Sequence, residues 1–153
     1  MNISVSKTFD APQADVWAVL TDLEHAPQRV SAIKRLEILT DGPVGKGTRF
    51  RETRIMMKRE ATEEMEITEW NPSSSYAVEC ESCGAHFRSV ISCKPAPDGG
   101  TIVEMTMTTK PITFLAKLMS PLGKLMAGAC AKAFEQDLEE LKRAAESDIA
   151  QPA

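Results

Sequence analysis

The sequence predicts an α+β fold: a curved antiparallel sheet of about seven strands, two short helices after the first strand, and a long C-terminal helix across one face. Three observations predict it. Residues 48–70 alternate in side-chain character with a period of two, as paired strands do. From Leu122 onward, Leu125, Met126, Ala129, Ala133, Phe134, Leu138 and Leu141 trace one stripe at helical spacing. Between strands the chain carries hairpin punctuation, such as "DGPVGKG" and "PAPDGG", and no βαβ alternation. An antiparallel sheet with one wet face needs its other face covered, and the long helix is the element available.

Taken in order, "NISVSKTF" (2–9) places Ile3, Val5 and Lys7 on one side and closes on Phe9, which reads as a strand. In "DAPQADVWAVLTD", Pro12 suits the first helical turn, Asp10 and Asp15 suit the positive end of the helix dipole, and Val16, Val19 and Leu20 share a face. Asp22 is placed to cap a second short helix, "LEHA", which Pro27 is expected to end. Residues 33–40 read as a strand. "PITFLAKLM" is a short amphipathic helix, and Ser120-Pro121 opens the long one, with Glu139 and Arg143 on its polar side. One domain is expected over 1–147, with residues 148–153 as a C-terminal tail.

Pairing arithmetic assigns the faces. A turn at Lys58-Arg59 gives partners summing to 117, so Phe50 meets Ile67, Glu52 meets Met65 and Arg54 meets Glu63. The other face of this hairpin opposes Arg51 to Glu66 and Thr53 to Glu64, as suits solvent. A turn near Ser82-Cys83 pairs Val78 with Phe87 and Tyr76 with Ser89. The "PAPDGG" turn pairs Ile91 with Val103, Ser89 with Met105 and Phe87 with Met107. The latter two registers agree in sending Phe87, Ser89, Ile91 and Cys93 inward and His86 and Arg88 outward.

The chain has 153 residues, a formal net charge of −4 and a sequence pI near 5.3. An acidic balance of this kind argues against nucleic acid as a partner. No apolar run reaches the ~18–20 residues of a membrane span, and "MNISVSKTF" lacks the features of a signal peptide, so a cytoplasmic location is expected. "CESCGAHFRSVISC" (80–93) has one Cys-x-x-Cys but no second, and Cys93 lies up to ~33 Å along an extended strand from Cys83. We read it as a hairpin with cysteines, holding no metal. There is no phosphate-cradling glycine loop or nucleotide fingerprint, and no cofactor is expected.

"ISVSKTFDAPQADVWAVLTDLEHAP", "VSAIKRLEILTDGPVGKGTRFRE", "ITEWNPSSSYAVE" and "PAPDGGTIVEMTM" together resemble the polyketide cyclase/dehydrase-like branch of the START-domain (SRPBCC) superfamily over almost the whole chain. The shared motifs are structural: the Gly45-x-Gly47 turn, the Glu-Trp-Asn-Pro strand end and the Gly-Gly-Thr turn. "PQRVSAI" departs from the pattern, since many members carry a tryptophan after the second helix. The resemblance implies a helix-grip fold whose sheet and long helix enclose a tunnel for an apolar ligand. It leaves function open, because members include lipid carriers, cyclases, receptors and chaperone activators.

The inner face carries the chemistry. Glu52, Arg54 and Glu63 are charged groups at inward positions, where a charge needs a partner. Arg54 can grip a carboxylate or enolate oxygen of a ligand while Glu63 holds it in place; residues near an open, wet end of the sheet would be charged for a blander reason. Tyr76 and Ser89 add hydroxyls. The rest of the expected lining is apolar: Phe50, Met65, Ile67, Val78, Phe87, Ile91, Met105 and Met107 from the sheet, Leu122 and Met126 from the helix. Flexible methionines suit a cavity that accepts varied shapes, and equally suit a core. No Ser-His-Asp or Cys-His set can be assembled, so no catalytic residue is assigned. The first expectation is a binder of a small hydrophobic ligand such as a lipid or polyketide. The second is a cyclase- or dehydratase-like enzyme, and the third a protein-interaction module. Oligomeric state is open.

Overall fold

A computed structural model describes residues 2–150, with side chains throughout except at 120–125 and 148–150. Its strands are β1 (Asn2–Phe9), β2 (Ile33–Ile38), β3 (Arg49–Met56), β4 (Arg59–Asn71), β5 (Ser75–Ser82), β6 (Ala85–Pro95) and β7 (Thr101–Pro111). Helix α1 (Gln13–Leu20), a short 3-10 turn (Leu23–His25) and α2 (Ala26–Arg29) link β1 to β2. The short α3 (Phe114–Leu118) and the long α4 (Ser120–Ala150) follow β7. The strands form one antiparallel sheet in the order β1-β7-β6-β5-β4-β3-β2. Consecutive hairpins therefore account for β2 to β7, while β1 closes against β7 and the helical link crosses from one sheet edge to the other. This is the helix-grip fold that the sequence predicts.

The faces follow the predicted alternation, but all three hairpin registers differ from the predicted ones by two residues. Phe50 pairs with Met65, Glu52 with Glu63 and Arg54 with Ala61, summing to 115. Val78 pairs with Ser89, Tyr76 with Ile91 and Cys80 with Phe87. Ile91 pairs with Met105, Ser89 with Met107 and Cys93 with Val103. The cause lies in the turns. Met57 and Lys58 have φ of 50° and 66°, and Cys83 and Gly84 have φ of 51° and 74°. Both pairs make the two-residue turn whose central residues sit at positive φ, which matches the twist of the flanking strands. Nothing in the side chains of Met57 and Lys58 announces that conformation. A shift of two keeps every residue on its predicted face.

A bulge adds a feature the alternation hides. Ile67 pairs with Val78 and Glu69 with Ala77, leaving Thr68 as the extra residue. Trp70 then falls opposite Tyr76 and joins an aromatic cluster with Trp17, whose ring centroid lies 5.3 Å from that of Trp70 and 6.0 Å from that of Tyr76.

The core lies beneath the C-terminal half of α4. Phe9, Val16, Ile67, Val103 and Leu138 are fully buried and bring together β1, α1, the sheet centre and the helix. Pro27 lies in the first turn of α2 rather than ending a helix, as its fixed φ allows there. Asp22 precedes the 3-10 turn without capping it; its carboxylate accepts from His25 and Arg29. The outer face is wet and charge-paired: Arg51 Nη2 lies 2.7 Å from Glu64, and Arg88 reaches Glu69 and Glu79. His86 belongs to this face and shares Glu79 at 2.8 Å.

Candidate functional site

Helix α4 is held to the sheet and its connecting segments by polar ties concentrated between Asp137 and Lys142. Glu139 bonds Lys7, the inward lysine of β1, and also approaches Arg143 at 3.7 Å, so it straddles the two sides of the helix rather than lying on the polar side alone. Glu140 accepts from the backbone N–H of Ser31 at 2.6 Å and from its hydroxyl at 2.7 Å. These bonds outweigh the opposing effect of burial and hold its carboxyl below the usual carboxylate range.

The third tie is the most buried. Arg54 Nη1 donates to Asp137 Oδ2 at 2.7 Å, and Arg54 Nε donates to Glu52 Oε1 at 3.0 Å. The side chains of Arg54, Glu52 and Asp137 are 18%, 12% and 5% exposed. The predicted partner of Arg54, Glu63, accepts instead from Ser82 Oγ at 2.6 Å. The two-residue register shift explains the exchange: it moves Glu63 opposite Glu52 and leaves Ala61 opposite Arg54, whose guanidinium turns to the helix. Two carboxylates on one guanidinium leave a formal charge of −1. Burial, followed at smaller weight by the nearby charges of Glu52 and Glu140, raises the Asp137 carboxyl above its ordinary range despite the opposing Arg54.

Asp137 is the functional-type residue that the sequence reading missed. The signal was present: Ala133, Asp137 and Leu141 stand at successive i, i+4 positions, which puts an acid on the inward stripe. Asp137 also lines a cleft of about 350 Å³ between α4 and the end of the β3–β4 hairpin. Its walls include Ala32, Ile55, Met56, Met57, Ala129 and Ala133, with Lys132 and Gln136 as further polar groups. Small helix residues leave the room, and the methionines give it adaptable walls.

The remaining predicted lining divides by burial. Phe50, Ile67, Tyr76, Val78, Ile91 and Met107 are buried in the core, and Met65, Phe87 and Met105 pack partly buried against it. Ser89 is half-buried between Val78 and Met107. Tyr76 donates its hydroxyl to the Leu20 carbonyl at 2.9 Å; burial, with a lesser effect from Glu52, pushes the phenol far above its usual range. Met126, expected to line the cavity, is 38% exposed. The Leu122 side chain lies outside the described ones. Among the described residues, no group of three or more His, Cys, Asp or Glu side chains is arranged to hold a metal ion. Cys80 is half-buried and Cys83 exposed in its turn. No described helix is long and apolar enough to cross a membrane.

A sheet gripping a long helix, with a buried ionic cluster beside a cleft between them, places the protein in the START-like helix-grip class. The chain belongs to the family described as polyketide cyclase / dehydrase and lipid transport, which matches residues 1–146. No curated protein sequence matches the chain. Among solved structures it is similar to TTHA0849 from Thermus thermophilus, with a TM-score of 0.79 and 19% identity over 96% of this chain and 98% of that one. It is similar to a START superfamily protein from Mycobacterium smegmatis, with a TM-score of 0.77 and 13% identity over 95% and 97% of the two chains. The di-domain ARO/CYC StfQ from the steffimycin biosynthetic pathway gives a TM-score of 0.78 at 13% identity, covering 98% of this chain and 52% of that one. At these identities the likeness is one of fold.

Proposed function

We propose that the protein binds a small hydrophobic ligand between the inner sheet face and α4, with the ligand's polar group toward Asp137. The observation that carries this reading is the cleft of about 350 Å³ whose mostly apolar wall includes one buried, charge-coupled carboxyl. Ligand sites combine such walls with a few placed polar groups, and volumes of roughly 300 Å³ and upward suffice. The charge balance indicates the ligand's polar group. Arg54 already carries two carboxylates, so a hydroxyl, enol or amine donor complements the cluster better than another carboxylate does.

A second reading, a cyclase- or dehydratase-like enzyme, is supported by the raised Asp137 carboxyl. A carboxyl whose hold on its proton is strengthened by burial, beside a guanidinium, is suited to donate that proton to a departing or enolising oxygen. The test is native mass spectrometry of the purified protein, with titration of an apolar fluorescent probe into the wild type and Ala133→Trp. Binding should be lost in the variant, at unchanged melting temperature. Equal affinity in both proteins would remove the cleft as the site.

A further inference from the structure

Between Glu104 and Glu135 the chain carries no acidic residue, although acids outnumber bases overall by 22 to 18. The bases in that stretch are Lys110, Lys117, Lys124 and Lys132. Its centre is α3 and the turn that follows, and there the large apolar residues face outward. Phe114 is 83% exposed, Leu115 67%, Leu118 66%, Met119 50% and Ile112 49%. Phe114 and Leu118 lie one turn apart, as do Leu115 and Met119, while Lys110 and Lys117 are exposed beside them.

This apolar face has a firm base. The carbonyl of Gly84, in the β5–β6 turn, accepts from the N–H groups of Ile112 at 2.7 Å and Thr113 at 3.2 Å. Thr113 Oγ1 caps α3 by accepting from Ala116 N at 3.1 Å. The protein thus presents its outward apolar residues on an anchored turn of helix. Exposed apolar side chains with lysines beside them, on a stretch of chain without acidic residues, are complementary to an anionic lipid–water interface.

We infer that α3 and its flanks dock the protein on anionic membrane surfaces, with Phe114 and Leu118 inserted and Lys110 and Lys117 among the headgroups. The inference deepens the proposed ligand binding. In the β6–β7 register, Pro111 lies opposite Ala85 and Thr109 opposite the half-buried Phe87, so the docking segment leaves the sheet beside the inner face. A docked protein would meet a membrane-dissolved ligand at that end.

The experiment is co-sedimentation of the full chain with phosphatidylcholine vesicles, with and without one part in three of phosphatidylglycerol. Binding to the anionic vesicles should be tenfold or more stronger, and should weaken with salt, since a lysine near such a surface contributes about fivefold. Phe114→Glu with Leu118→Glu should abolish it. Lys117→Glu should weaken anionic binding several-fold and leave neutral vesicles unaffected. Phe114→Ser alone, checked by thermal melting, decides the matter if the double variant unfolds. Unchanged partitioning of a folded variant overturns the proposal, as does absence of wild-type binding to either vesicle. A dimer in sedimentation velocity that the same substitutions dissolve, without vesicle binding, also overturns it and assigns the face to a second copy. The soluble apolar probe separates the two ideas: vesicle binding by a protein that takes up no probe upholds docking while removing the cleft reading.

Discussion

Arg54 and Asp137 meet at 2.7 Å, and their contact joins β3 to α4 where both side chains are largely withdrawn from water. Glu52 holds the other side of the same guanidinium, so one cation neutralises part of two buried charges.

Arg54→Met should therefore lower stability at neutral pH by about 3–5 kcal/mol, because it leaves both carboxylates buried without a counter-charge. Adding Asp137→Asn to Arg54→Met should recover a substantial part of the loss. Chemical denaturation of the wild type, both single variants and the double variant measures the coupling; additive losses would count against the contact.

The pH dependence has a definite sign. Burial raises the Asp137 carboxyl from its ordinary value near 3.8. The folded protein then binds this proton more tightly than the unfolded chain does, so the Asp137 contribution to stability falls as pH rises from the ordinary aspartate range through the elevated folded value, and is flat above it. Asp137→Asn should remove that slope. A stability–pH curve of unchanged shape in this variant would contradict the assignment.

Gly84 should not tolerate a side chain. Its φ is +74°, and a Cβ there would stand 2.5 Å from Thr113 Oγ1, the cap of α3. Gly84→Ala should cost about 1–2 kcal/mol for the left-handed backbone, with up to a further ~1 kcal/mol if Thr113 rotates and gives up its cap. Thermal unfolding measures the total. Thr113→Ala in the same background should not lower stability further if the cap has already been lost.

Tyr76→Phe keeps the ring against Trp17 and Trp70 but leaves the Leu20 carbonyl without its donor. The expected loss is about 1–3 kcal/mol. The substitution should also remove a decline in stability above the ordinary tyrosine range near 10.0, since the folded phenol holds its proton more tightly than the unfolded one. Alkaline denaturation midpoints of the two proteins provide the measurement.

The legible parts of this fold are those governed by parity. Alternation assigned Glu52, Arg54, Phe87 and Ile91 to the inner face because a strand repeats every two residues, whichever rung it occupies. The rungs were not legible, since Met57 and Lys58 adopt positive φ without the Gly or Asn that usually marks it. Glu63 was thus assigned to Arg54 in place of Asp137. Trp70 escaped for a related reason: the extra Thr68 reverses the phase of β4, and a bulge has no fixed residue signature. The helix stripe is legible through its apolar members, and these mask the acid, Asp137, that lies among them.

The β3–β4 and β5–β6 hairpins close on two-residue turns, with their inner residues recurring at every second position. Adding one residue to each side of either turn would lengthen that wall by a rung and leave every existing side chain on its present face. Adding a single residue would turn part of a strand inside out. The depth of the enclosure can thus change in paired steps while the chemistry of its lining stays fixed. Depth and lining are separately adjustable properties of this scaffold.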